Sequence, residues 1–393
     1  MIIYSEIKSQ AFIISFFLTI SQLFLFQVNE ASAQCIQDCD VALNNTFIGS
    51  EAGASNTTGN DNTFVGEAAG KSTTTGSGNS YFGVSAGLLN ETGQNNSFFG
   101  RDAGRNATGS SNSFFGRDAG KSTTFGVGNS FFGKFAGQLN VSGSLNSFFG
   151  TNAGIRNTSG LSNSFFGNNA GIFNTTGGKN SFYGNEAGYF TSEGGENSFF
   201  GEEAGRRNTT GSYNSSVGSG SGYNNRTGSY NIAIGYNAGP LDGTDDKDST
   251  LYIDIEESND PLIYGQFQQD LVRINGSFEV MGSISPASSR VLKTDFEEID
   301  QTQVMHSLKN LPIESWMYKS KPGQRHIGPT AEDFQKAFGL GDGKTIATVD
   351  ADGVMMAAIQ ALARKVEELE KQNQELKKNI ADMRKADADT QRK

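Results

Sequence analysis

The chain has 393 residues, a net charge of -11, 50 glycines, 30 phenylalanines and only 6 prolines. This acidity argues against nucleic acid or an anionic membrane as the main partner. Glycine at this frequency, without the three-residue period of collagen, indicates either low complexity or a repeat with many tight turns. The phenylalanines favour the repeat, because disordered chains are poor in aromatic residues.

Residues 1–33 predict an export signal. An apolar run of 18 residues, Ala11 to Val28, is followed by Ala31-Ser32-Ala33. Small residues in this pattern suit a signal peptidase, so cleavage is expected before Gln34. An uncleaved membrane anchor is the alternative, since the apolar run lies at the lower length limit for a membrane span.

Residues 34–40 form a short leader that contains Cys35 and Cys39. In an oxidising compartment the two thiols could form a local disulfide or bridge neighbouring chains. The alternative is that both cysteines are unpaired and lie in a flexible leader. Their four-residue spacing does not by itself indicate a metal site, and the sequence predicts no metal and no cofactor.

A repeat of 17 residues fills residues 41–239. The glycine that closes each Asn-Ser-Phe-Phe-Gly motif, or its variant, recurs twelve times at 17-residue intervals, with one interval of 16. The residues before this glycine favour extended structure, and the glycines allow tight turns. The pattern predicts one coil per repeat in a β-roll or solenoid shaft, with Phe on Phe and Asn on Asn. We expect each thin coil to have little interior, so that burying the aromatics requires several chains side by side.

This repeat resembles the β-roll heads of trimeric autotransporter adhesins and, more closely, the Asn-Thr-rich repeats of bacterial tail-fibre-domain surface proteins. The resemblance covers about half the chain. It implies a trimeric shaft displayed outside the cell, with a structural or adhesive role. No unique pair of carboxylates stands out in the repeats, as a glycosidase would need.

Residues 240–287 are predicted to form a linker and a β neck. An acidic, turn-rich stretch runs from Asp242 to Asp248. Three alternating segments then predict short strands around Asn275-Gly276: Leu251–Asp254, Leu262–Gly265 and Leu271–Ile274.

Four motifs follow in order: Ser288–Lys293, Leu311–Lys319, Arg325–Phe334 and Thr348–Val354. Together they resemble the intramolecular-chaperone, self-cleaving serine peptidase domain at the C-termini of phage tailspikes and endosialidases, here residues 288–358. The resemblance implies that Ser288 is the nucleophile and Lys293 the base, and that the chain is cut between Ala287 and Ser288.

The implied chemistry is that of a serine–lysine dyad. A serine hydroxyl is a poor nucleophile until a base takes its proton, and lysine is that base only when it is neutral, a form that burial favours. Ser289, four residues before the lysine, is an alternative nucleophile. His326 and Asp333 are candidates for supporting roles, with a structural hydrogen bond as the favoured interpretation of His326.

Residues 359–385 predict a parallel coiled coil, and residues 386–393 form a charged tail. Four heptads place apolar residues at the core positions, with Asn373 as the polar exception. A leucine-zipper DNA-binding protein would also have heptads, but no basic region precedes these. The core positions are Ile359, Leu362, Val366, Leu369, Asn373, Leu376, Ile380 and Met383.

The sequence therefore predicts a mainly β protein: a solenoid shaft, a β neck, a small α+β chaperone domain and a C-terminal coiled coil, assembled as a trimer. We expect an exported fibre, secreted or at the cell surface or outer envelope, whose chaperone drives trimer folding and cuts before Ser288. The expected partners are two copies of itself and a surface glycan or host-cell ligand, not nucleic acid. The alternatives are a glycan-binding or glycan-degrading spike, and a fibre whose trimerisation domain stays idle and uncut.

Overall fold

The computed structural model describes residues 43–241, 247–285, 287–319 and 322–390. The predicted export signal, Cys35 and Cys39 lie outside these residues. The chain divides into two compact units, one up to Glu279 and one from Val280. A search of the described residues finds no helix with the length and apolar character needed to cross a bilayer.

The first unit is built on one sheet of fifteen strands that lie side by side in chain order. Strands β1–β12 have three residues each, and neighbours within this set pair in parallel at an offset of 17 residues or, once, 16. This confirms the solenoid with one coil per repeat. The strands are Thr46–Ile48, Thr63–Val65, Ser80–Phe82, Ser97–Phe99, Ser113–Phe115, Ser130–Phe132, Ser147–Phe149, Ser164–Phe166, Ser181–Tyr183, Ser198–Phe200, Ser215–Val217 and Ile232–Ile234.

The middle residue of each strand points into the coil. From Phe64 to Phe199 these aromatic side chains are at most 1% exposed, and their rings stack with centroids 4.6–5.0 Å apart. One chain thus buries a complete aromatic row, and the expectation that a coil has little interior of its own is wrong for this row. The reason is the Ala-Gly corner, the turn that follows most strands at a pair such as Ala136-Gly137. A Cβ on Gly137 would lie 2.4 Å from the Phe131 ring, so glycine leaves the space that the ring fills.

A buried asparagine before each strand links successive coils. The backbone N–H of Asn146 donates to Oδ1 of Asn129 at 3.0 Å, and its Nδ2 donates to the carbonyl of Gly160 at 2.9 Å. Its own Oδ1 accepts from the N–H of Asn163 at 2.9 Å. Each side chain therefore satisfies backbone groups that the three-residue strands leave unpaired in the interior.

The last coils and the neck close this unit. Ser216 and Ala233 replace the inner aromatic in β11 and β12, as expected for atypical terminal repeats. Strand β13, Thr250–Ile253, continues the parallel stack, whereas β14, Ile263–Gln266, and β15, Leu271–Ile274, pair antiparallel. The turn between β14 and β15 is a 3-10 turn at Phe267–Gln269, and Asn275-Gly276 follows β15 instead of forming that turn.

The second unit is a small α+β fold. Helices α1, Gln301–Asn310, α2, Ala331–Phe338, and α3, Thr348–Thr390, accompany the antiparallel pair β16, Glu314–Trp316, and β17, His326–Gly328. Its core is small: Leu311, Phe334 and Val354 are buried, with Val304, Leu308, Ala337, Phe338 and Ile346 packed against them. Helix α3 begins eleven residues before the predicted coiled coil, 348 against 359, and continues through that segment.

Candidate functional site

A short turn brings Ser288 and Lys293 together. Residues Arg290–Leu292 form one 3-10 turn, whose N-cap is Ser289: its Oγ accepts a hydrogen bond from the N–H of Val291 at 3.4 Å. The N–H of Lys293 closes the turn on the carbonyl of Arg290 at 3.2 Å. As a result, Nζ of Lys293 lies 2.8 Å from Oγ of Ser288.

This distance is that of a nucleophile hydrogen-bonded to its base. Of the two serines that the sequence left open, Ser288 contacts the lysine, while the Ser289 hydroxyl caps the turn. Both Ser288 and Lys293 are exposed in the single chain. The arrangement therefore provides the contact that a serine–lysine dyad needs but not the burial that keeps a lysine neutral.

An aromatic contact supports the other side of the turn. The guanidinium of Arg290 lies 4.0 Å from the centroid of the Phe296 ring, within the range of a cation–π interaction. Such contacts contribute on the order of 0.5–1 kcal/mol at exposed sites. The pair helps to hold the turn between Ser288 and Lys293, and no motif in the sequence points to it.

His326 and Asp333, the two candidates for supporting roles, have other contacts. The His326 ring in β17 stacks on Trp316 at 5.0 Å and meets Tyr318 edge-on at 5.4 Å. Asp333 accepts a hydrogen bond from Oγ1 of Thr330 at 2.8 Å, and its N–H donates back to that oxygen at 3.1 Å. These contacts order the β16–β17 pair and cap helix α2, and a supporting role in cleavage stays a prediction.

Within the described ranges, no three or more His, Cys, Asp or Glu side chains are grouped as a metal ion would need. The dyad chemistry would use only the serine hydroxyl, the lysine amine and water.

In a comparison with protein families, residues 288–339 match the model described as chaperone of endosialidase. The match begins at Ser288 and ends at Gly339, the left-handed residue that terminates α2. No curated protein and no solved structure matches the chain. The matched segment and the twelve-coil solenoid together support a tail-fibre-like protein with a C-terminal chaperone domain.

Proposed function

We propose that the protein is an exported, trimeric, fibre-like surface protein whose C-terminal unit gathers three chains and then cuts itself off before Ser288. The observation that carries this proposal is the 2.8 Å contact between Nζ of Lys293 and Oγ of Ser288, within a segment similar to the chaperone of endosialidase. The shaft is the functional product, with a structural or adhesive role at the surface.

Self-cleavage proceeds through an ester. Lys293 takes the Oγ proton of Ser288, and that oxygen attacks the carbonyl carbon of Ala287. The Ala287–Ser288 amide breaks as the ester forms, and the lysine delivers the proton to the new amine of Ser288. Water then hydrolyses the ester, which leaves a carboxylate on Ala287 and restores the serine hydroxyl. The reaction occurs once per chain.

Association of chains supplies what a single chain lacks. The apolar heptad positions of α3 are exposed, from Ile359 at 64% to Ile380 at 38%, which is the surface that a parallel coiled coil would cover. Three chains brought together there would also lower the entropic cost of starting a long parallel stack. Assembly would then bury Lys293 and activate the dyad, so cleavage follows folding. Loss of the folding aid would leave a shaft that is kinetically hard to unfold and refold.

The test is the intact mass of the full-length protein beside three variants. We expect the wild type to release a fragment that runs from Ser288 to Lys393, and both Ser288→Ala and Lys293→Ala to stay uncut. Ser289→Ala is the matched control, since its hydroxyl caps the turn and is expected to leave cleavage largely intact. If the wild type stays full length, the C-terminal unit is a permanent trimerisation cap. If Ser289→Ala alone abolishes cleavage, the nucleophile has been misassigned.

Dependence on assembly is tested on α3. Leu369→Asp places a charge at a heptad core position, so we expect it to reduce both the trimer fraction and cleavage, although the dyad is unchanged. Lys371→Asp, on the outer side of the same heptad, is the matched control and is expected to be cut normally. Full cleavage of a monomeric Leu369→Asp variant would show that the dyad does not need assembly.

A further inference from the structure

The outward face of the shaft strands carries a continuous apolar row. The third residue of every strand from β1 to β12 points outward; it is aliphatic in β1, β2, β11 and β12 and aromatic in the eight strands between. We call these twelve residues the outer row. They are partly exposed, as in Phe200 at 42% and Ile234 at 40%. A single chain therefore buries the inner aromatics completely and leaves the outer row half covered.

The outer row differs from the other outward positions of the coil. Two residues after the strand, the corresponding exposed positions hold Ser50, Glu67, Val84 and Arg101 in the first four coils. The residue before the buried asparagine ranges equally widely, as in Leu145, Lys179 and Glu196. Positions in contact with water tolerate such variation. The outer row holds no polar or charged side chain except for the hydroxyl of Tyr183, which indicates that it is normally covered.

The ring geometry restricts what can cover this row. Neighbouring outer rings stack with centroids 4.6–4.9 Å apart and planes within 3–9° of parallel. Their faces therefore cover one another, and only their edges are open. A sugar ring packs against the face of an aromatic ring, so the row does not form a glycan platform. Ring edges instead suit packing against other apolar side chains.

The accessible area of the row is that of a protein interface. Tyr183 and Phe200 are exposed and the other six rings are half-buried. With at most about a third of about 200 Å² accessible on most of these side chains, the eight rings expose up to about 500 Å², and the aliphatic ends raise this to at most about 700 Å². Stable interfaces bury about 800 Å² per partner, and unpartnered patches on monomers rarely exceed about 600 Å². The first residue of each strand from β1 to β11, next to the row, is serine or threonine, so no charge on the outward strand face opposes association of chains that carry -11 each.

A second copy of the chain matches this row in period and length. The side chains of the outer row repeat once per strand along the whole shaft. A partner can contact every one of them only if its own side chains repeat at the same spacing over the same length. We propose that the outer row is the surface through which copies of the shaft associate along their length. The number of copies, three, rests on the proposed function, and the outer row is the shaft surface that joins them.

Photo-cross-linking of the full-length protein tests this surface. Phe132, in the middle of the outer row, is replaced by p-benzoylphenylalanine, which keeps an aromatic ring at the site. The matched control carries the same residue at Leu139, which is 44% exposed in the same coil but lies outside the strand. After irradiation, we expect at least a ten-fold higher yield of chain-to-chain product from position 132, with cross-linked peptides that contain outer-row strands.

The mass of the unlabelled assembly is measured separately by light scattering, so that two failures can be told apart. A trimer that cross-links from position 139 but not from 132 overturns the surface and leaves the proposed function intact. A monomer without cross-links overturns both. Cross-linked pairs from position 132 in a protein that is not a trimer support the surface and overturn the trimer.

Discussion

The two units of this protein bury their apolar residues in different ways. In the shaft, inner aromatics from Phe64 to Phe199 are at most 1% exposed within one chain, because every coil covers the next. In the C-terminal unit only a handful of apolar side chains are buried, and the heptad positions of α3 are open. The comparison teaches that the interior of the shaft is complete in a single chain, while the C-terminal unit leaves its apolar heptad positions exposed, as the proposed association of chains requires.

The largest expected difference in the free energy of unfolding comes from replacing one glycine by alanine in each unit. Gly150→Ala in the shaft adds a Cβ 2.3 Å from the carbonyl oxygen of Gly167, at a φ of +144° that only glycine adopts readily. We expect a loss of about 4 kcal/mol in the free energy of unfolding, since strain and a backbone clash add. In α3, Gly353→Ala meets no atom within 4 Å and should stabilise the helix by about 1 kcal/mol.

Hydrogen exchange resolved by peptide measures both effects in the intact protein. Faster exchange in β7 and β8 of Gly150→Ala, beside slower exchange at the start of α3 in Gly353→Ala, would confirm the opposite signs. Unchanged exchange in the shaft variant would mean that the coils can separate to admit a methyl group. That outcome would contradict close backbone packing as the basis of shaft stability.

A smaller difference in the free energy of unfolding is expected when one asparagine is replaced by alanine in each unit. Asn146→Ala removes the partners of the Asn163 N–H and the Gly160 carbonyl inside the shaft, at an expected cost of about 3 kcal/mol. Asn310→Ala, at the exposed end of α1, removes a bond to the His306 carbonyl and should change the free energy of unfolding by less than about 0.5 kcal/mol. Denaturant unfolding followed by circular dichroism compares them. Equal effects would show that water reaches the asparagine ladder.

The smallest expected effect on stability concerns a buried hydroxyl in the shaft interior. Tyr81 is the one tyrosine among the inner aromatic side chains of β1–β12. Burial raises the pKa of its phenol, and the side chains of Asn96 and Asn90 offset part of this rise. The hydroxyl nevertheless has no well-aligned hydrogen-bond partner. Tyr81→Phe, which restores the ring found in neighbouring coils, should stabilise the protein by about 1 kcal/mol.

The pH dependence provides the check on Tyr81. Because its pKa is raised in the folded chain, the stabilisation linked to protonation is complete below the ordinary value of 10.0 and is lost at higher pH, where the unfolded chain ionises. The advantage of Tyr81→Phe in denaturant midpoint should therefore widen above about pH 10. Both proteins contain the same other tyrosines, so the ionisation of those residues shifts both midpoints equally and does not affect the difference. A constant advantage would mean that the phenol ionises equally in both states.

Much of the architecture could be predicted from the sequence. The Phe-Phe-Gly spacing predicted the coils, and the alternation after Asp248 predicted the neck strands. The serine and lysine five residues apart could be identified as a dyad only by resemblance, since such a pair alone is common. The turn capped by Ser289, which brings the two side chains to 2.8 Å, depends on backbone geometry that no motif specifies. The coiled coil and the trimer stay predictions.

The sequence by itself determined the period of the shaft, because strands repeat wherever the aromatic pair and its glycine repeat. Only the tertiary structure decided which aromatic of each pair lies inside. Both positions are apolar, so alternation assigns them to opposite faces without saying which face is interior. The Ala-Gly corner decides, since its alanine is small and its glycine has no side chain, which leaves space for the first ring. The second ring of each pair is therefore left at the surface, half covered by its neighbours.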